Sequence, residues 1–160
     1  QEDPSLPAFM RFGGNTAYVE GWALYSESLG YPMGMYTDPY QRFGNLNDEM
    51  LRAMRLVVDT GIHSKGWTRD QSIQYMLDHS GESKTDATAE VERYIAIPSQ
   101  ALAYKIGQLK ITELRDKAKA ALGGKFDIRQ YHAQVLDTGA LPLPILEKKI
   151  DSWIAAKKAS

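Results

Sequence analysis

The stretch DPYQRFGNLNDEMLRAMRLVVDTGIHSKG, residues 38–66, decides the fold class of this chain. Asp38 followed by Pro39 is typical of a helix start, because proline lacks the N–H that a first helical turn leaves unpaired. Apolar residues then recur at spacings of three and four, which predicts one apolar stripe on a long helix. These residues are Phe43, Leu46, Met50, Met54, Val57 and Val58. Gly61 or Gly66 is expected to end the helix.

The rest of the chain shows the same helical period, interrupted by short turns that contain glycine or proline. Period-two alternation is nearly absent, so we predict about seven helices and few strands or none. The expected fold class is all-α, with a single helical domain over residues 15–156. Residues 1–14 are expected to form an extended lead-in or linker, and residues 157–160 a frayed tail.

Composition and charge narrow the possible classes of function. Nineteen Lys and Arg stand against 20 Asp and Glu, and the resulting net charge of -1 argues against binding to nucleic acid. The sequence contains no cysteine, which excludes disulfide scaffolds, thiolate metal sites and cysteine nucleophiles. No apolar run approaches the roughly 18 residues of a membrane span.

Two glutamates fall on the helix predicted to begin at Asn15 or Thr16. Glu20 and Glu27 are two helical turns apart, so their carboxylates share one face. Several neighbours are aromatic or aliphatic, and an unpaired carboxylate buried among them would need a metal or a cation. A pair of exposed glutamates on an amphipathic helix explains the same spacing.

A polar stripe accompanies the apolar one on the long helix. Arg52, Arg55, Asp59 and His63 follow one another at steps of three and four residues. Asp59 can therefore pair with Arg55, or it can hold the imidazole of His63 in one tautomer. A ladder of surface salt bridges has the same spacing.

The break at Pro98 places further polar side chains near one another in the sequence. Arg93, Tyr94, Gln100 and Tyr104 flank it, and polar groups at such a break can point into a cleft. The alternative is that the tyrosines belong to the core and that Arg93 caps a helix end.

None of the common catalytic motifs is complete in this sequence. It contains no H-E-x-x-H, G-x-S-x-G, P-loop or G-x-G-x-x-G pattern. The three histidines, His63, His79 and His132, lack the spacing of metal ligands. Taken alone, the residues indicate an all-helical domain with some polar residues inside.

Four blocks of sequence carry a resemblance to a known family. They are TAYVEGWALYSESLG (16–30), RAMRLVVDTGIHSKGWT (52–68), VERYIAIPSQALAYKIGQLKI (91–111) and FDIRQYHAQVLDTGALPLPILEKKI (126–150). In this order, they resemble the C-terminal part of a large bacterial family of proteins of unknown function. That family is in turn similar to zinc metallopeptidases of the gluzincin kind. The resemblance implies that the chain is part of a larger helical metallopeptidase-like fold.

The resemblance also implies roles for individual residues. In the family an H-E-x-x-P-G-H-H segment lies upstream of the E-G-W-A-L-Y block, and Glu20 is expected to be the third zinc ligand of a His₂Glu set. Tyr104 and His63 are candidate donors to the oxyanion, and Arg93 is a candidate for binding the substrate's carboxylate. The possible second-shell residues around the site are Asp59, Glu27 and His132.

The upstream segment is not in this sequence, so the chain alone is expected to be inactive and to hold no zinc. Its expected partners are a peptide substrate in the parent protein and the missing N-terminal part of the same protein, with self-association possible. Family members often carry export signals, which favours a periplasmic or secreted location over a cytoplasmic one. The alternative function is a non-catalytic helical binding or interaction module.

Overall fold

The structure is a computed structural model that describes residues 2–159. This part of the chain forms eight α-helices and two short 3₁₀ turns and contains no β-strand, which confirms the all-α prediction. The helices are α1 (Ala8–Phe12), α2 (Thr16–Ser28), α3 (Pro39–Lys65), α4 (Arg69–His79), α5 (Lys84–Ala96), α6 (Ala103–Leu122), α7 (Ile128–Leu136) and α8 (Leu143–Ala159). The 3₁₀ turns are Gln100–Leu102 and Gly123–Lys125. None of the helices within residues 2–159 has both the length and the apolar character that crossing a membrane requires.

The helices group into two compact units. The terminal unit comprises the described residues up to Tyr25 and those from Ile106 onward, and it contains α1, α7, α8 and most of α2 and α6. The central unit comprises Ser26–Lys105, and it contains α3, α4, α5 and the first 3₁₀ turn.

In the terminal unit, α2 and α6 cross at two glycines. A Cβ atom on Gly21 would lie 2.4 Å from the Cα atom of Gly107, and a Cβ atom on Gly107 would lie 1.8 Å from the carbonyl oxygen of Ala17. Only glycine permits the two backbones to approach this closely. The middle of α2 is therefore held directly against α6.

Two buried tyrosines tie α7 to its neighbours in the terminal unit. The hydroxyl of Tyr18 donates a hydrogen bond to the carbonyl oxygen of Val135 at 2.6 Å. The hydroxyl of Tyr131 donates to the carbonyl oxygen of Ile111, also at 2.6 Å. Burial raises the pKa of Tyr18 to about 12, so its hydroxyl stays protonated and remains a donor at neutral pH.

The central unit is built on α3, whose ends agree with the sequence prediction. The carboxylate of Asp38 accepts a hydrogen bond from the N–H of Tyr40 at 2.7 Å, and Gly66 ends the helix in a left-handed conformation with φ 70°. The core of this unit joins α3 to α4, α5 and the 3₁₀ turn. It consists of Met54, Val58, Ile73, Met76, Ala87, Val91, Tyr94 and Ala101.

The apolar stripe predicted on α3 is buried only in part. Met54 and Val58 are 2% and 0% exposed, whereas the remaining four residues stay accessible to solvent. Their exposed fractions are 70% for Phe43, 60% for Leu46, 48% for Met50 and 39% for Val57. Length explains the exposure of Phe43, Leu46 and Met50, because α3 has 27 residues and spans about 40 Å, whereas α4 and α5, with 11 and 13 residues, are too short to cover it. Val57 lies in the covered half but on a different line of the helix from Met54 and Val58.

The structure has more helix near both chain ends than the sequence predicted. The lead-in over residues 1–14 is not extended throughout, because Ala8–Phe12 forms α1 directly after Pro7. This helix was not among the seven that the sequence predicted. The tail predicted over residues 157–160 is helical through Ala159, because alanine and lysine favour the helix and nothing stops it there. Ser160 lies outside the described residues.

Candidate functional site

Glu20, the expected metal ligand, lies on a well-anchored part of α2. Its side chain is half-buried, and the next residue is Gly21, where α2 touches α6. The helix starts at a side-chain cap, because the amide oxygen of Asn15 accepts a hydrogen bond from the N–H of Tyr18 at 3.1 Å. The backbone at position 20 is thus held by the contact of α2 with α6.

A catalytic zinc site needs a cluster of ligand side chains. Within residues 2–159, no three or more His, Asp or Glu side chains lie close enough together to hold a metal ion. A catalytic zinc takes three protein ligands. Among the described residues, Glu20 therefore does not form a three-ligand metal site with its own neighbours.

The central unit contains a buried arginine whose partner differs from the one that its spacing in the sequence suggests. Arg55, 5% exposed, bonds to the carboxylate of Glu90 on α5, with Nη2 at 2.9 Å and Nε at 3.1 Å. Its Nε also lies 3.3 Å from the hydroxyl oxygen of Tyr94. The expected i,i+4 partner, Asp59, is bound elsewhere. Arg55 thus joins α3 to α5 rather than forming a surface ladder.

The charges in this network reinforce one another. The hydroxyl of Tyr94 donates to Glu90 at 2.5 Å. Burial raises the pKa of Glu90, but the hydrogen bond from Tyr94 and the charges of Arg55 and Arg93 outweigh it, so the pKa ends below its usual value. Burial, followed by the bond to Glu90, raises the pKa of Tyr94. At neutral pH the network consists of an anionic Glu90, a cationic Arg55 and a neutral Tyr94.

His63 and Asp59 both contact the segment around the Pro98 break. The Nε2 atom of exposed His63 lies 2.9 Å from the carbonyl oxygen of Tyr94, which can only accept, so Nε2 carries the proton in this contact. The buried carboxylate of Asp59 accepts from the backbone N–H of Ser99 at 3.1 Å. Asp59 therefore holds the turn after Pro98.

Arg93 and Tyr104 differ in how far their polar groups are already engaged. The guanidinium of Arg93 bonds to Gln100 at 2.6 Å and to Glu90 at 3.3 Å. The ring of Tyr104 stacks beneath the guanidinium of Arg55, with 4.7 Å between the Cζ atom and the ring centroid. Among the described residues, the Tyr104 hydroxyl makes no hydrogen bond, so it keeps its capacity to donate.

His132 belongs to an aromatic cluster in the terminal unit. Its Nε2 lies 2.9 Å from the hydroxyl oxygen of Tyr25, and its ring meets the edge of Trp22 at 5.4 Å between centroids. Burial, followed by the charge of Arg115, lowers the pKa of His132, so the imidazole is neutral at pH 7. These contacts describe a packed histidine.

Glu27 lies in the central unit, at the edge of a groove of about 400 Å³ beside the first turns of α3. The groove is also lined by Tyr36, Gln41, Asn45 and Asp48. Burial raises the pKa of Glu27, and the nearby acidic residues add to the effect while Arg52 opposes it. The pKa of Glu27 is thus set by its burial and by charged residues beside this groove.

The network around Arg55 is the part of the site that sequence reasoning missed. Glu90 and Tyr94 stand four apart on α5, and this spacing could have indicated a hydrogen-bonded pair. The pairing of Arg55 with Glu90 crosses 35 residues, and no local pattern predicts it. Arg93 and Tyr104 contact this network through Glu90 and Arg55, and His63 contacts the backbone carbonyl of Tyr94. Asp59 binds only the backbone N–H of Ser99, and Glu20 and His132 lie in the terminal unit.

The comparisons with known proteins agree with this all-helical fold. A model of a family described as bacterial proteins of unknown function (DUF885) matches residues 1–150. The chain belongs to this family. A comparison with curated proteins finds no match.

Solved structures extend the likeness to three dimensions. A candidate lipoprotein from Colwellia psychrerythraea is 50% identical with a TM-score of 0.91, over 93% of this chain and 26% of its own. A candidate lipoprotein of unknown function from Shewanella oneidensis is 27% identical with a TM-score of 0.79, over 84% of this chain and 25% of its own. This chain therefore spans about a quarter of the length of these relatives.

Proposed function

We propose that this chain forms part of a zinc-dependent peptidase, to which it contributes the third zinc ligand and a wall of the substrate cleft. The observation that carries the proposal is Glu20, a half-buried carboxylate on a helix whose backbone is held against α6 at Gly21. The gluzincin-like sequence blocks support the same assignment. Two histidine ligands and a general base would come from polypeptide outside these residues, so the chain alone is inactive.

In this proposal the chain's own residues bind and polarise a peptide. Glu20 would hold the metal, and a zinc ion so held supplies a Lewis acid and a water molecule of lowered pKa. Tyr104 would donate a hydrogen bond from its hydroxyl to the oxyanion that forms on the peptide carbonyl, because that hydroxyl is not already bonded among the described residues. The stacked guanidinium of Arg55 restricts the Tyr104 ring.

The other two candidates would have to share their present partners. His63 uses Nε2 on the Tyr94 carbonyl, so only Nδ1 remains for a substrate. Arg93 can bind a substrate carboxylate only if it shares its guanidinium with Glu90 and Gln100 or releases them. Tyr104 is therefore the strongest of the three candidates for a catalytic residue.

The second candidate function is a helical binding module that performs no chemistry. One observation favours it: α3 presents exposed apolar residues to solvent. Such surfaces mark interaction sites more often than catalytic ones.

We also propose a location in the bacterial cell envelope or outside the cell. The support is that the relatives from Colwellia and Shewanella are both described as candidate lipoproteins.

The test uses the full-length gene product. Glu20→Gln should lose bound zinc, measured by elemental analysis after dialysis, whereas the matched variant Glu113→Gln, on the exposed surface of α6, should keep it. Tyr104→Phe should keep the zinc and lower kcat on a peptide substrate by about 10²–10³. Full zinc and full activity in Glu20→Gln would remove the central assignment, and a full-length protein that binds no zinc would favour the binding module.

A further inference from the structure

The feature that remains unexplained is a row of apolar side chains along the solvent side of α3. We define the exposed stripe as Phe43, Leu46, Met50 and Val57, whose exposed fractions run from 70% down to 39%. Ala53 lies on the same line of the helix, between Met50 and Val57. All of these residues lie in one helix of the central unit.

The spacing of the stripe identifies the shape that would fit it. Positions 43, 46, 50, 53 and 57 alternate steps of three and four, which keeps them on one narrow line. A line with this alternation is the seam that a helix uses to pack lengthwise against one other helix. A sheet or a broad core would need a wider apolar face. The partner is therefore a single α-helix with its own apolar side.

The buried side of α3 shows that the stripe is not left over from the core of this chain. Met54 and Val58 point into the core with α4 and α5, whereas the stripe follows a different line of the same helix. α3 thus has a covered apolar face in its C-terminal half and an uncovered apolar line that runs from Phe43 in the N-terminal half to Val57. Solvated helices of globular proteins normally carry one apolar face.

The area of the stripe argues against a second copy of this chain as the occupant. Taking about 200 Å² for each large side chain, the four exposed residues present roughly 400 Å². A stable complex between separate proteins buries about 800 Å² on each partner. A helix from the same polypeptide needs less, because the connection supplies a high effective concentration.

The length of the relatives indicates where such a helix would come from. The Colwellia protein matches 93% of this chain with a TM-score of 0.91, yet the match covers only 26% of its own chain. About three quarters of that polypeptide therefore lies outside the matched region, in a protein that is 50% identical to this one over the match. This is the largest available source of a covering helix.

We propose that the exposed stripe of α3 is the docking surface for an α-helix of the same polypeptide, from the part of the protein outside these 160 residues. The helix lies along positions 43–57 and contributes its own apolar side. This proposal does not depend on zinc or on peptidase activity.

The test is thiol protection in the full-length gene product, with its other cysteines replaced by serine. Leu46→Cys and Met50→Cys each place one thiol on the stripe, and Asp70→Cys places a control thiol on α4, where the native side chain is 91% exposed. Maleimide should react with both stripe thiols at least about tenfold more slowly than with the control under native conditions. All three should react alike in urea.

Two results would overturn the proposal. The first is equal reaction rates for the stripe and control thiols in protein whose circular dichroism and melting are native; having two stripe variants means that a folding defect in one leaves the other decisive. The second is protection that disappears on dilution in a protein whose mass by light scattering is that of a dimer, because this would assign the surface to a second copy. Zinc content is unaffected by either result, so the proposed function is judged separately.

Discussion

The two halves of α3 have similar apolar content but entirely different surroundings. From Met54 to Gly61 the helix contains every one of its buried residues, among them Arg55 and Asp59. From Pro39 to Met50 it contains none, and Phe43 is 70% exposed. One continuous helix, correctly predicted from its period and its caps, is a core element at one end and a surface element at the other.

The difference teaches that apolar periodicity specifies a helix and its orientation, while burial depends on what else reaches it. α4, α5 and the 3₁₀ turn cover the C-terminal half because the chain folds back there after Gly66. No comparably long element accompanies the N-terminal half within the central unit. Matched substitutions in the two halves can measure this difference.

The largest expected effect comes from two methionines four residues apart. Met54→Ala should lower the free energy of unfolding of the 160-residue chain by about 3 kcal/mol, because it opens a cavity at a site that is 2% exposed. Met50→Ala should change it by less than about 0.5 kcal/mol, because Met50 is 48% exposed. Urea denaturation of both variants provides the measurement. Equal losses would show that the N-terminal half is covered in solution.

The sequence was sufficient for the helices because their determinants are local. Asp38 with Pro39, and Gly66 at the other end, act through the backbone of a single turn, so no distant residue is needed to place these ends. Whether Phe43 and Met50 are buried could not be predicted in this way. Their burial depends on the lengths and paths of other helices, which no periodicity records.

The same contrast explains what could be predicted about the site. The four-residue spacing allows Asp59 to pair with Arg55 or with His63, but within residues 2–159 the structure shows neither pair. Asp59 accepts from the Ser99 N–H, and His63 bonds to the Tyr94 carbonyl. Arg55 finds Glu90 at a separation of 35 residues. Pairing across helices follows from their packing, so spacing along one helix identified the residues and not their partners.

A smaller effect of opposite sign in the two halves is expected for two glycines of α3. A Cβ atom on Gly61 would lie 2.5 Å from the ring of Trp67, so Gly61→Ala should destabilise the chain by about 2 kcal/mol. A Cβ atom on Gly44 would meet nothing within 4 Å, so Gly44→Ala should stabilise it by about 0.5–1 kcal/mol through helix propensity. Thermal melting distinguishes the two.

The Gly44 result also bears on the exposed stripe. Gly44 does not lie on the line of Phe43, Leu46 and Met50, so its substitution should leave a helix docked on that line undisturbed. Loss of stability in Gly44→Ala, rather than a gain, would mean that the added methyl group meets side chains that line the groove beside Glu27.

The smallest expected effect is a difference in how two glutamates change the stability of the chain with pH. Glu90 contacts the C-terminal half of α3, and Glu27 lies beside its N-terminal half. The folded-state pKa of Glu90 is below its usual value of 4.5, so the unfolded chain binds more protons and Glu90 contributes stability above about pH 4.5 that is lost as pH falls through its folded pKa. The folded-state pKa of Glu27, beside the N-terminal half of α3, is above 4.5, so its contribution is present below pH 4.5 and is lost as pH rises through its folded pKa.

The two neutral variants should therefore diverge when unfolding by urea is measured between pH 3 and pH 7. Glu90→Gln should destabilise the chain more at pH 7 than at pH 3, because it removes the ionised partner of Arg55 and leaves that guanidinium buried. Glu27→Gln should compare more favourably with the wild type at pH 7 than at pH 3, because it removes a carboxylate whose ionisation burial opposes. If both variants shift in the same direction, the two ends of α3 share one electrostatic environment, and the distinction between a buried network and an open groove fails.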